Sequence, residues 1–548
     1  MQPKYIFVSG GVISGIGKGV ITASTSLLLK SAGYKVSPVK IDMYINIDAG
    51  TIRPAEHGEI FVTDDGIETD QDIGHYERFL NESLTRHNYI TTGQIYNEVI
   101  KRERSFYYQG EDVEAIPHVT DEIQRRIDEA ARNNKTDIII VELGGTVGEY
   151  QNMLFFEAAR ILKLKKPNDV IHIHVSYLPT PAHLGEMKSK PTQTSVKLLN
   201  SMGIQPDFLV ARSNTPVDKR RQERLALFCN MSLEDIILGP TINNIYEIPI
   251  VLEKQDLTRK ITKKLNLPSK TANPKEWQTM IKKQNLRKHK LKIAMVGKYQ
   301  KIDEFRLKDT YISVVEAIKH SGLQLGIDCE IAWFDAEKVS DHLSELNKIN
   351  GIIVPQGWGS RGVEGKISAV SLARQNKIPY LGLCFGMQMA VIEFARNAAN
   401  LKNANTEEAD PKTPHPVIHI MPDQEEYLKK HQYGGTIRLG SWPCKLKKGT
   451  IIYNCYKKYS KISPKNLIIS ERHRHRYEFN NQYKERLTKA GLVISGTSPD
   501  GKLVEAIELP ASVHPFFVGT QFHPEYKSRP LSPHPIFLGF LQAALKTQ

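Results

Sequence analysis

Short apolar runs alternate with amphipathic stretches in the first half of the chain, and this alternation constrains the fold more than any other feature. The apolar runs of strand length are residues 5–8, 35–40, 137–143, 169–176 and 207–211. Residues 19–32 have the spacing of an amphipathic helix. Strands that alternate with helices form a largely parallel sheet covered by helices. The pattern therefore predicts an α/β domain.

A second α/β pattern follows a polar stretch rich in Pro, Asn and Lys at residues 267–290, where we expect one helix around residues 277–285. Apolar runs resume at residues 291–297, 351–355, 379–384 and 516–523. A chain of 548 residues is long enough for two hydrophobic cores. The predicted fold class is α/β with two doubly wound, mostly parallel sheets. The predicted division is a first domain at residues 1–266, a linker at 267–290 and a second domain at 291–548.

The cysteines and the N-terminus indicate the cellular compartment in which the protein is expected. The five cysteines are widely spaced and contain no CxxC pair, which argues against a disulfide framework and against a structural zinc site. No stretch of about 18 apolar residues occurs, and the first eleven residues lack the apolar core of a signal peptide. We therefore expect a cytoplasmic protein that does not associate with a membrane.

A glycine-rich loop runs from Gly10 to Gly19, between a predicted strand and a predicted helix. In this context backbone N–H groups and a helix N-terminus bind phosphate. The loop differs from the strict P-loop pattern, because five residues separate Gly11 from Gly17 and because Gly19 stands where a Ser or Thr would bind magnesium. The sequence predicts a variant, P-loop-like phosphate site.

Without a hydroxyl at position 19, magnesium needs carboxylate ligands from elsewhere. Glu142 ends an apolar strand, at the edge where open α/β sheets bind ligands, and Asp72 lies in an acidic loop. We expect Lys18 and Lys40 to bind the phosphates of a nucleoside triphosphate through their positive charges. A tight turn without any ligand is the alternative for the loop alone, and Lys18, Lys40 and Glu142 disfavour it.

Cys384 follows an apolar run and precedes a helix-compatible stretch, with a glycine on either side. This pattern is typical of a nucleophile elbow, which exposes a thiol and directs a helix N-terminus at it. His523 and Glu525 lie two residues apart at the end of another strand, so we predict a Cys–His–Glu triad. Gly357, at a third strand end, would border the oxyanion site. The alternative is a buried, inert cysteine.

Eight longer stretches share the pattern of one known family. They are GGVISGIGKG at residues 10–19, YINIDAG at 44–50, EHGE at 56–59, GHYERF at 74–79, ELGGTVG at 142–148, KPTQ at 190–193, ERHRHRYE at 471–478 and QFHPE at 521–525. On these stretches, the chain resembles the CTP synthases over nearly its whole length. The resemblance implies a ligase of pyrimidine nucleotide biosynthesis that joins a synthase domain to a class I glutaminase domain.

In this family, ATP phosphorylates O4 of UTP, and ammonia then displaces the phosphate to give CTP. The ammonia comes from glutamine and travels through the protein. The resemblance also implies Mg²⁺ with ATP, activation by GTP, feedback inhibition by CTP and a homotetramer with UTP sites at subunit interfaces.

Where the motifs match, the resemblance implies binding roles for particular residues. ATP would be bound by Gly15, Ile16, Gly17, Lys18, Gly19, Val20, Lys40 and Asp72, with Mg²⁺ on Asp72 and Glu142. UTP, and in part CTP, would be bound by Ser14, Glu149, Tyr150, Gln151, Lys188, Ser189, Lys190, Pro191, Thr192, Gln193 and Arg224. Glutamine would be bound by Gly357, Phe385, Gly386, Met387, Gln388, Glu408 and Arg476.

The chain departs from the usual family pattern at three places. Residues 149–151 read Glu-Tyr-Gln in place of Asp-Ile-Glu, which predicts weaker or differently tuned inhibition by CTP. Arg224 replaces a lysine and keeps its charge. Gln356 replaces a glycine next to Gly357, and its side chain would disfavour the local backbone if φ were positive there. We therefore expect both synthase and glutaminase activity, and Gln356 bears only on the glutaminase.

Three other functions compete with this interpretation. The net charge of +14 favours anionic partners, but the basic runs are short and no nucleic-acid-binding motif accompanies them, so we expect no nucleic acid partner. A P-loop amidotransferase that amidates the carboxylates of cobalamin precursors would also join a variant loop to a Cys–His glutaminase. A structural filament protein could keep the fold without the chemistry. The stretches KPTQ and EHGE argue against the amidotransferase, and the intact reactive residues argue against the filament protein.

Overall fold

The computed structural model describes residues 2–284, 288–298, 308–421, 424, 426–427, 434–460 and 468–547. The chain folds into two compact units. Unit 1 comprises Met1–Asp48 and Asp72–Ile281, and unit 2 comprises Ala49–Gln71 and Lys282–Gln548. In the part of the chain that is described, no helix has both the length and the apolar character needed to cross a bilayer.

Unit 1 contains a seven-stranded sheet in which every neighbouring pair is parallel. Its strands are β1 (Lys4–Gly11), β2 (Val36–Asp42), β5 (Tyr89–Thr91), β6 (Ile138–Leu143), β7 (Val170–Tyr177), β8 (Phe208–Ser213) and β9 (Ile236–Pro240), in the order β5-β2-β6-β1-β7-β8-β9. β3 (Phe61–Val62) and β4 (Glu68–Thr69) form a separate antiparallel pair in unit 2.

Helices cover both faces of the sheet in unit 1. The longer ones are Lys18–Ser31, Gln71–Leu80, Thr92–Arg104, Thr120–Asn133, Met153–Lys165, Lys190–Ser201, Lys219–Phe228, Ile248–Glu253, Leu257–Lys264 and Lys275–Gln284. Short 3₁₀ or π turns occur at Arg86–Asn88, Ala115–Val119, Tyr150–Asn152, Leu233–Asp235 and Ile245–Glu247. Phe7 and Val141 belong to the core on one face, and Val8 and Ile140 to the core on the other. Burial on both faces explains why the strands are continuous apolar runs.

Unit 2 contains a nine-stranded mixed sheet in the order β11-β10-β12-β13-β21-β20-β19-β16-β17. Its strands are β10 (His289–Gly297), β11 (Ile327–Asp335), β12 (Gly351–Val354), β13 (Tyr380–Leu383), β16 (Arg438–Leu446), β17 (Ile468–His475), β19 (Val493–Thr497), β20 (Val504–Glu508) and β21 (Phe517–Thr520). The pairs from β11 to β21 are parallel, and the remaining pairs are antiparallel. A smaller sheet contains β14 (Ala404–Thr406), β15 (His415–Ile420) and β18 (Tyr477–Phe479).

The helices of unit 2 pack on both faces of its large sheet, over two separate hydrophobic cores. They are Ile312–Leu325, Leu343–Leu346, Val363–Gln375, Phe385–Asn397, Ile451–Tyr459, Lys484–Lys489 and Pro535–Lys546. Unit 2 also contains the short helix Pro54–His57. Short 3₁₀ turns occur at Ala49–Thr51, Lys308–Tyr311, Val339–His342, Asn481–Tyr483 and Pro524–Lys527. The α/β class with two helix-covered sheets is thus confirmed, although four strand pairs of the second sheet are antiparallel.

The two units differ from the sequence-based division in two places. Residues 49–71 group with unit 2, and the helix Lys275–Gln284 lies largely in unit 1. Trp277 explains the second difference, because it is buried and its indole N–H donates to the carbonyl of Tyr246 over 2.7 Å. Asn285, the end of the helix expected in the linker, lies outside the described residues. The functional domain boundaries at residues 266 and 290 stay a prediction.

Candidate active sites

The glycine-rich loop of unit 1 connects the end of β1 to the helix Lys18–Ser31. Gly15 and Gly17 have φ angles of 70° and 90°, a left-handed conformation that side chains with a Cβ disfavour. This conformation places Lys18 at the first turn of the helix, with no acidic side chain in that turn. The loop therefore presents backbone N–H groups and a helix N-terminus, the arrangement expected for a phosphate site.

Asp72 explains why residue 19 is a glycine. A Cβ added to Gly19 would collide with the carboxylate of Asp72. In a strict P-loop, a Ser or Thr at this position places its hydroxyl on magnesium. Here a carboxylate from the helix Gln71–Leu80 fills the space that such a side chain would need.

Lys40 lies among three carboxylates at the carboxyl ends of β2 and β6. It pairs in register with Glu142, so both side chains lie on one face of the sheet. Its ammonium group is 3.1 Å from Glu142, 3.8 Å from Asp42 and in direct contact with Asp72. The second oxygen of Glu142 accepts a hydrogen bond from the hydroxyl of Tyr76. The predicted ATP and metal residues Lys40, Asp72 and Glu142 are therefore brought together.

Lys18 reaches the same region, where its ammonium group donates to the carbonyl of Gly145. Burial lowers the pKa of Lys18, although the charge of Glu142 opposes this shift. Burial likewise raises the pKa of Glu142, and the ammonium group of Lys40 opposes that shift. Each charge is thus stabilised by the opposite charge beside it, as in a site prepared for a charged ligand.

The acidic side chains can supply part of the coordination shell of a magnesium ion, but not all of it. Mg²⁺ prefers oxygen ligands and often takes only one or two carboxylates from the protein, with phosphate oxygens and waters completing its shell. Asp72 and Glu142 converge on the cationic nitrogen of Lys40, so their oxygens already surround a positive charge. Among the described residues, no group of three or more His, Cys, Asp and Glu side chains forms a self-sufficient metal site.

The predicted UTP residues follow neighbouring strands of the same sheet. Residues 149–151 follow β6, residues 188–193 follow β7, and Ser14 lies exposed in the loop after β1. Glu149 accepts hydrogen bonds from the backbone N–H and hydroxyl of Thr146 over 2.7 and 2.6 Å. Tyr150 is 90% exposed. These residues share one sheet edge, whereas Arg224 lies on the helix Lys219–Phe228 with its guanidinium group over Phe228.

A buried polar network fixes the helix that carries the KPTQ stretch. His174 of β7 pairs in register with Ser9 of β1, and its two ring nitrogens contact the hydroxyl groups of Ser9 and Ser195 over 2.8 and 2.9 Å. Burial lowers the pKa of His174 to about 3, so the ring is neutral at physiological pH. Thr192 turns inward and donates to the carbonyl of Tyr177 over 3.0 Å. Its side chain therefore supports the helix from within the core.

Arg212, at the end of β8, was missed by the sequence analysis. Its guanidinium carbon lies 3.6 Å from the point that a Cβ would occupy if Gly17 had one. Burial lowers the pKa of Arg212. A cation at the carboxyl end of a strand next to a phosphate loop is a signal that could have identified it.

Cys384 lies at a sharp turn between β13 and the helix Phe385–Asn397. Its φ of 51° is left-handed, a strained conformation for a residue with a Cβ. The glycines on either side are required, because a Cβ on Gly386 would collide with the carbonyl of Val354 and one on Gly382 would lie 2.7 Å from Gly386. The backbone N–H of Cys384 donates to Thr520 over 2.6 Å. The geometry is that of a nucleophile elbow.

His523 and Glu525 form a buried pair in which Nδ1 lies 2.8 Å from Oε1. Nε2 of His523 is buried, and the side chains of His523 and Cys384 interact at the pocket that both residues line. Burial by itself would lower the pKa of His523. The negative charges of Glu525 and of a Cys384 thiolate outweigh burial and raise this pKa to about 10. A protonated imidazole beside the cysteine is the arrangement that activates cysteine nucleophiles.

The pocket at Cys384 contains most of the predicted glutamine residues. It is lined by Gly357, Phe385, Gln388, Glu408 and Arg476, together with Gln356, Trp358, Arg474, His475 and Tyr477. Two predicted residues do not line it, since Gly386 faces Val354 and the side chain of Met387 lies in the core. Glu408 accepts a hydrogen bond from the backbone N–H of Gly359 over 2.6 Å. Burial raises the pKa of Glu408.

Two lysines next to this pocket were not predicted. Lys298 donates to the carbonyl of Gly359 over 3.0 Å, and the completely buried Lys366 donates to the carbonyl of Pro355 over 2.9 Å. Both ammonium groups lie over the ring of Phe385, at 4.3 and 5.0 Å. They fix the strand end that contains Gln356. Gln356 is not among the residues with positive φ, so its side chain causes no such strain.

Comparison with known proteins assigns the chain to a family. The family described as "CTP synthase N-terminus" matches residues 4–267, and "Glutamine amidotransferase class-I" matches residues 306–543. A CTP synthase of Caldanaerobacter subterraneus subsp. tengcongensis is 51% identical over 545 residues, covering 99% of this chain and 98% of the relative. A CTP synthase of Carboxydothermus hydrogenoformans is 50% identical, covering 99% of both chains.

One solved structure, "Trypanosoma brucei CTPS - glutaminase domain with bound acivicin", is 37% identical with a TM-score of 0.41, covering 47% of this chain and 94% of that one. The relatives that match at about half identity do so over almost the full length of both proteins. The chain therefore belongs to the CTP synthase family, whose members are glutamine-dependent ligases that form CTP.

Proposed function

We propose that unit 1 phosphorylates UTP and aminates it to CTP, and that unit 2 hydrolyses glutamine at Cys384 to supply the ammonia. The observation that carries this proposal is the buried Cys384–His523–Glu525 arrangement on a nucleophile elbow, in a chain that also places Lys18, Lys40, Asp72 and Glu142 beside a phosphate loop. Family membership sets aside the alternative that the protein amidates a carboxylate.

In the proposed synthase reaction, O4 of UTP attacks the γ-phosphorus of ATP and ADP leaves. The loop residues 15–20 bind the phosphates through backbone N–H groups, and Lys18 offsets the charge that develops on the transferred group. Asp72 and Glu142 would hold Mg²⁺, which would supply Lewis-acid stabilisation of the negative charge on the triphosphate. Ammonia then attacks C4, phosphate leaves, and CTP is released.

The proposed UTP site consists of Ser14, residues 149–151, residues 188–193 and Arg224. The common sheet edge of the loops after β1, β6 and β7 supports this assignment. Because Tyr150 is almost fully exposed and the carboxylate of Glu149 is bound to Thr146, we propose that this chain responds to CTP differently from relatives with Asp-Ile-Glu at these positions.

In the proposed glutaminase reaction, the thiolate of Cys384 attacks the amide carbon of glutamine. Glu525 orients His523, whose imidazolium gives its proton to the leaving nitrogen, so that ammonia departs and a glutamyl thioester remains. His523, now neutral, takes a proton from water, which attacks the thioester and releases glutamate. Glu408 would bind the substrate ammonium and Arg476 its carboxylate, the latter by a bidentate pair.

Several further properties are proposed from the family resemblance. They are activation by GTP, feedback inhibition by CTP, assembly as a homotetramer and a cytoplasmic location. The five cysteines, which are all free thiols, support a reducing compartment.

The proposal is tested by measuring CTP formation from UTP and Mg·ATP with either glutamine plus GTP or ammonium chloride as the nitrogen source. We expect product in both reactions. Product with ammonium alone would show that Cys384 does not supply ammonia. Folded, assembled protein that yields product in neither reaction would contradict the proposal.

A further inference from the structure

A segment that precedes the glutaminase region in sequence, residues 49–71, belongs to unit 2 and contacts the surroundings of the triad. One contact reaches His523 through Tyr526. The ring of Tyr526 stacks on the imidazole at 4.9 Å with an interplanar angle of 10°, and its hydroxyl donates to the carbonyl of Ile60 over 2.9 Å. Through this hydrogen bond, the segment holds the ring of Tyr526 that stacks on His523.

A second contact reaches the backbone of His523. The side chain of Arg472, in β17, is fully buried, and its Nε donates to Oδ1 of Asp64 over 2.7 Å. Its Nη1 donates to the carbonyl of Val62 over 3.0 Å. The carbonyl of Arg472 accepts a hydrogen bond from the backbone N–H of His523 over 2.8 Å. The guanidinium group of Arg472 holds the pKa of Asp64 well below its usual range, although burial opposes this shift.

A third contact lies beside Cys384. Nε of Arg474 donates to Oε1 of Glu68 over 2.7 Å, and Glu68 is almost completely buried. The carbonyl of Arg474 lies 3.8 Å from the Sγ of Cys384, within reach of its S–H group. The guanidinium group of Arg474 also lies over the ring of Trp358, another residue of the glutamine pocket.

A fourth contact reaches the strand end that borders the oxyanion site. Nε2 of Gln356 donates to Oε1 of Glu59 over 3.3 Å. The other oxygen of Glu59 accepts from the backbone N–H of Ser313 over 3.0 Å, which fixes the carboxylate in place. Gln356 directly precedes Gly357. This contact therefore helps to hold the backbone that would face the substrate oxygen.

We propose that Asp64 and Glu68 are positioning residues of the glutaminase, which act through Arg472 and Arg474 on His523 and Cys384. The inference rests on the proposed role of that triad. Arg472, Arg474 and Glu68 are buried, whereas Asp64 is partly exposed. Separating either pair still leaves a desolvated charge on the arginine, which makes the connection stiff. Both residues lie outside the region that matches class I glutamine amidotransferases, residues 306–543, so the active site depends on a segment that this similarity does not include.

The test uses the full-length variants Asp64→Asn and Glu68→Gln, which keep the side-chain shape and remove the charge. Displacing a reactive group by about 1 Å can cost about a hundredfold in rate. We therefore expect kcat for glutamine hydrolysis to fall by about tenfold or more in each variant. KM for glutamine should change little, because Glu408 and Arg476 are untouched. CTP formation from ammonium should stay within about twofold of the wild-type rate. The variant Gln356→Met should show a smaller fall, because it loses a single neutral hydrogen-bond donor.

The matched control is Glu393→Gln, which breaks a buried pair of unit 2 between Arg374 and Glu393 that touches no triad residue. This variant should lose thermal stability and keep kcat for glutamine. Wild-type kcat in both Asp64→Asn and Glu68→Gln would overturn the proposal. A rise in KM alone, or an equal loss of ammonium-dependent synthesis, would also overturn it, because either result indicates a role other than positioning the triad. Failure of the proposed function is distinguishable, since the wild-type protein itself would then not hydrolyse glutamine.

Discussion

Nδ1 of His523 lies 2.8 Å from Oε1 of Glu525, and both side chains are about 1% exposed or less. The pair links two residues at i and i+2 after β21, and it leaves Nε2 directed away from the carboxylate. An imidazole oriented in this way can transfer a proton only through Nε2. Glu525 therefore orients His523 and, together with Cys384, favours its protonated form.

The charge on His523 makes stability depend on pH. The pKa of His523 is about 10 in the folded protein and about 6.5 in the unfolded chain, because the negative charges of Glu525 and Cys384 outweigh burial. This protonation stabilises the folded state fully below about pH 6.5, and the contribution is lost as pH rises through about 10. The Tm advantage of the wild-type protein over His523→Gln should therefore be largest near pH 6 and shrink towards pH 10. A difference that stays constant would refute the assigned charge.

Removing the nucleophile should separate the two activities. The variant Cys384→Ala lacks the thiolate that forms the thioester, so glutamine-dependent CTP formation should fall by about a thousandfold or more. Ammonium-dependent CTP formation should persist, because the loop and its charged residues lie in unit 1. Parallel assays with the two nitrogen sources check this result. Cys229→Ala is the control, because Cys229 is a buried cysteine of unit 1 whose thiol pKa burial raises to about 11.

Asp72 should be required with either nitrogen source. The variant Asp72→Asn removes one of the two carboxylates proposed for magnesium, and we expect at least the ten- to hundredfold loss that is typical even of residues that only support metal ligands. The loss should be partly relieved at high Mg²⁺, which a titration of ammonium-dependent activity would detect. Asp256→Asn, at an exposed pair with Arg259, should leave the activity unchanged. Equal activity of Asp72→Asn and wild-type protein would remove Asp72 from the site.

Restoring the usual P-loop residue should damage this loop. In Gly19→Ser the new Cβ would collide with the carboxylate of Asp72, so we expect a lower Tm and a large loss of ammonium-dependent synthesis. The double variant Gly19→Ser/Asp72→Ala removes the collision and should regain Tm without regaining activity. If Gly19→Ser alone keeps both properties, the account of position 19 is wrong.

Local patterns in the sequence predicted the elements that carry the candidate sites. The apolar run before Gly10, the glycines of the loop and the helix-compatible stretch after Lys18 lie close together in the chain, so propensity and periodicity were sufficient. The same holds for the elbow at Cys384. The glycine at position 19 was noticed but not explained, because its reason is a carboxylate 53 positions later in the sequence.

The contacts of residues 49–71 could not be predicted from local patterns. These residues lie within the stretch that matches the CTP synthase N-terminus, yet their side chains find partners in β17 and after β12, more than 250 residues away. In the sequence, Asp64, Glu68, Arg472 and Arg474 look like ordinary polar residues. Only tertiary packing pairs them and buries Glu68 and the two arginines. Periodicity likewise gave no reason to expect Lys366, which points inward from the helix Val363–Gln375.

The central claim is that one chain takes nitrogen from glutamine at Cys384 and places it on C4 of the pyrimidine of UTP. The most direct measurement supplies glutamine labelled with ¹⁵N at the amide, together with UTP, Mg·ATP and GTP, and determines the isotope content of CTP by mass spectrometry. The account predicts labelled CTP from the wild-type protein and no labelled CTP from Cys384→Ala, which should still form unlabelled CTP when ammonium chloride is added. Unlabelled CTP from the wild-type protein, or labelled CTP from Cys384→Ala, would contradict the account.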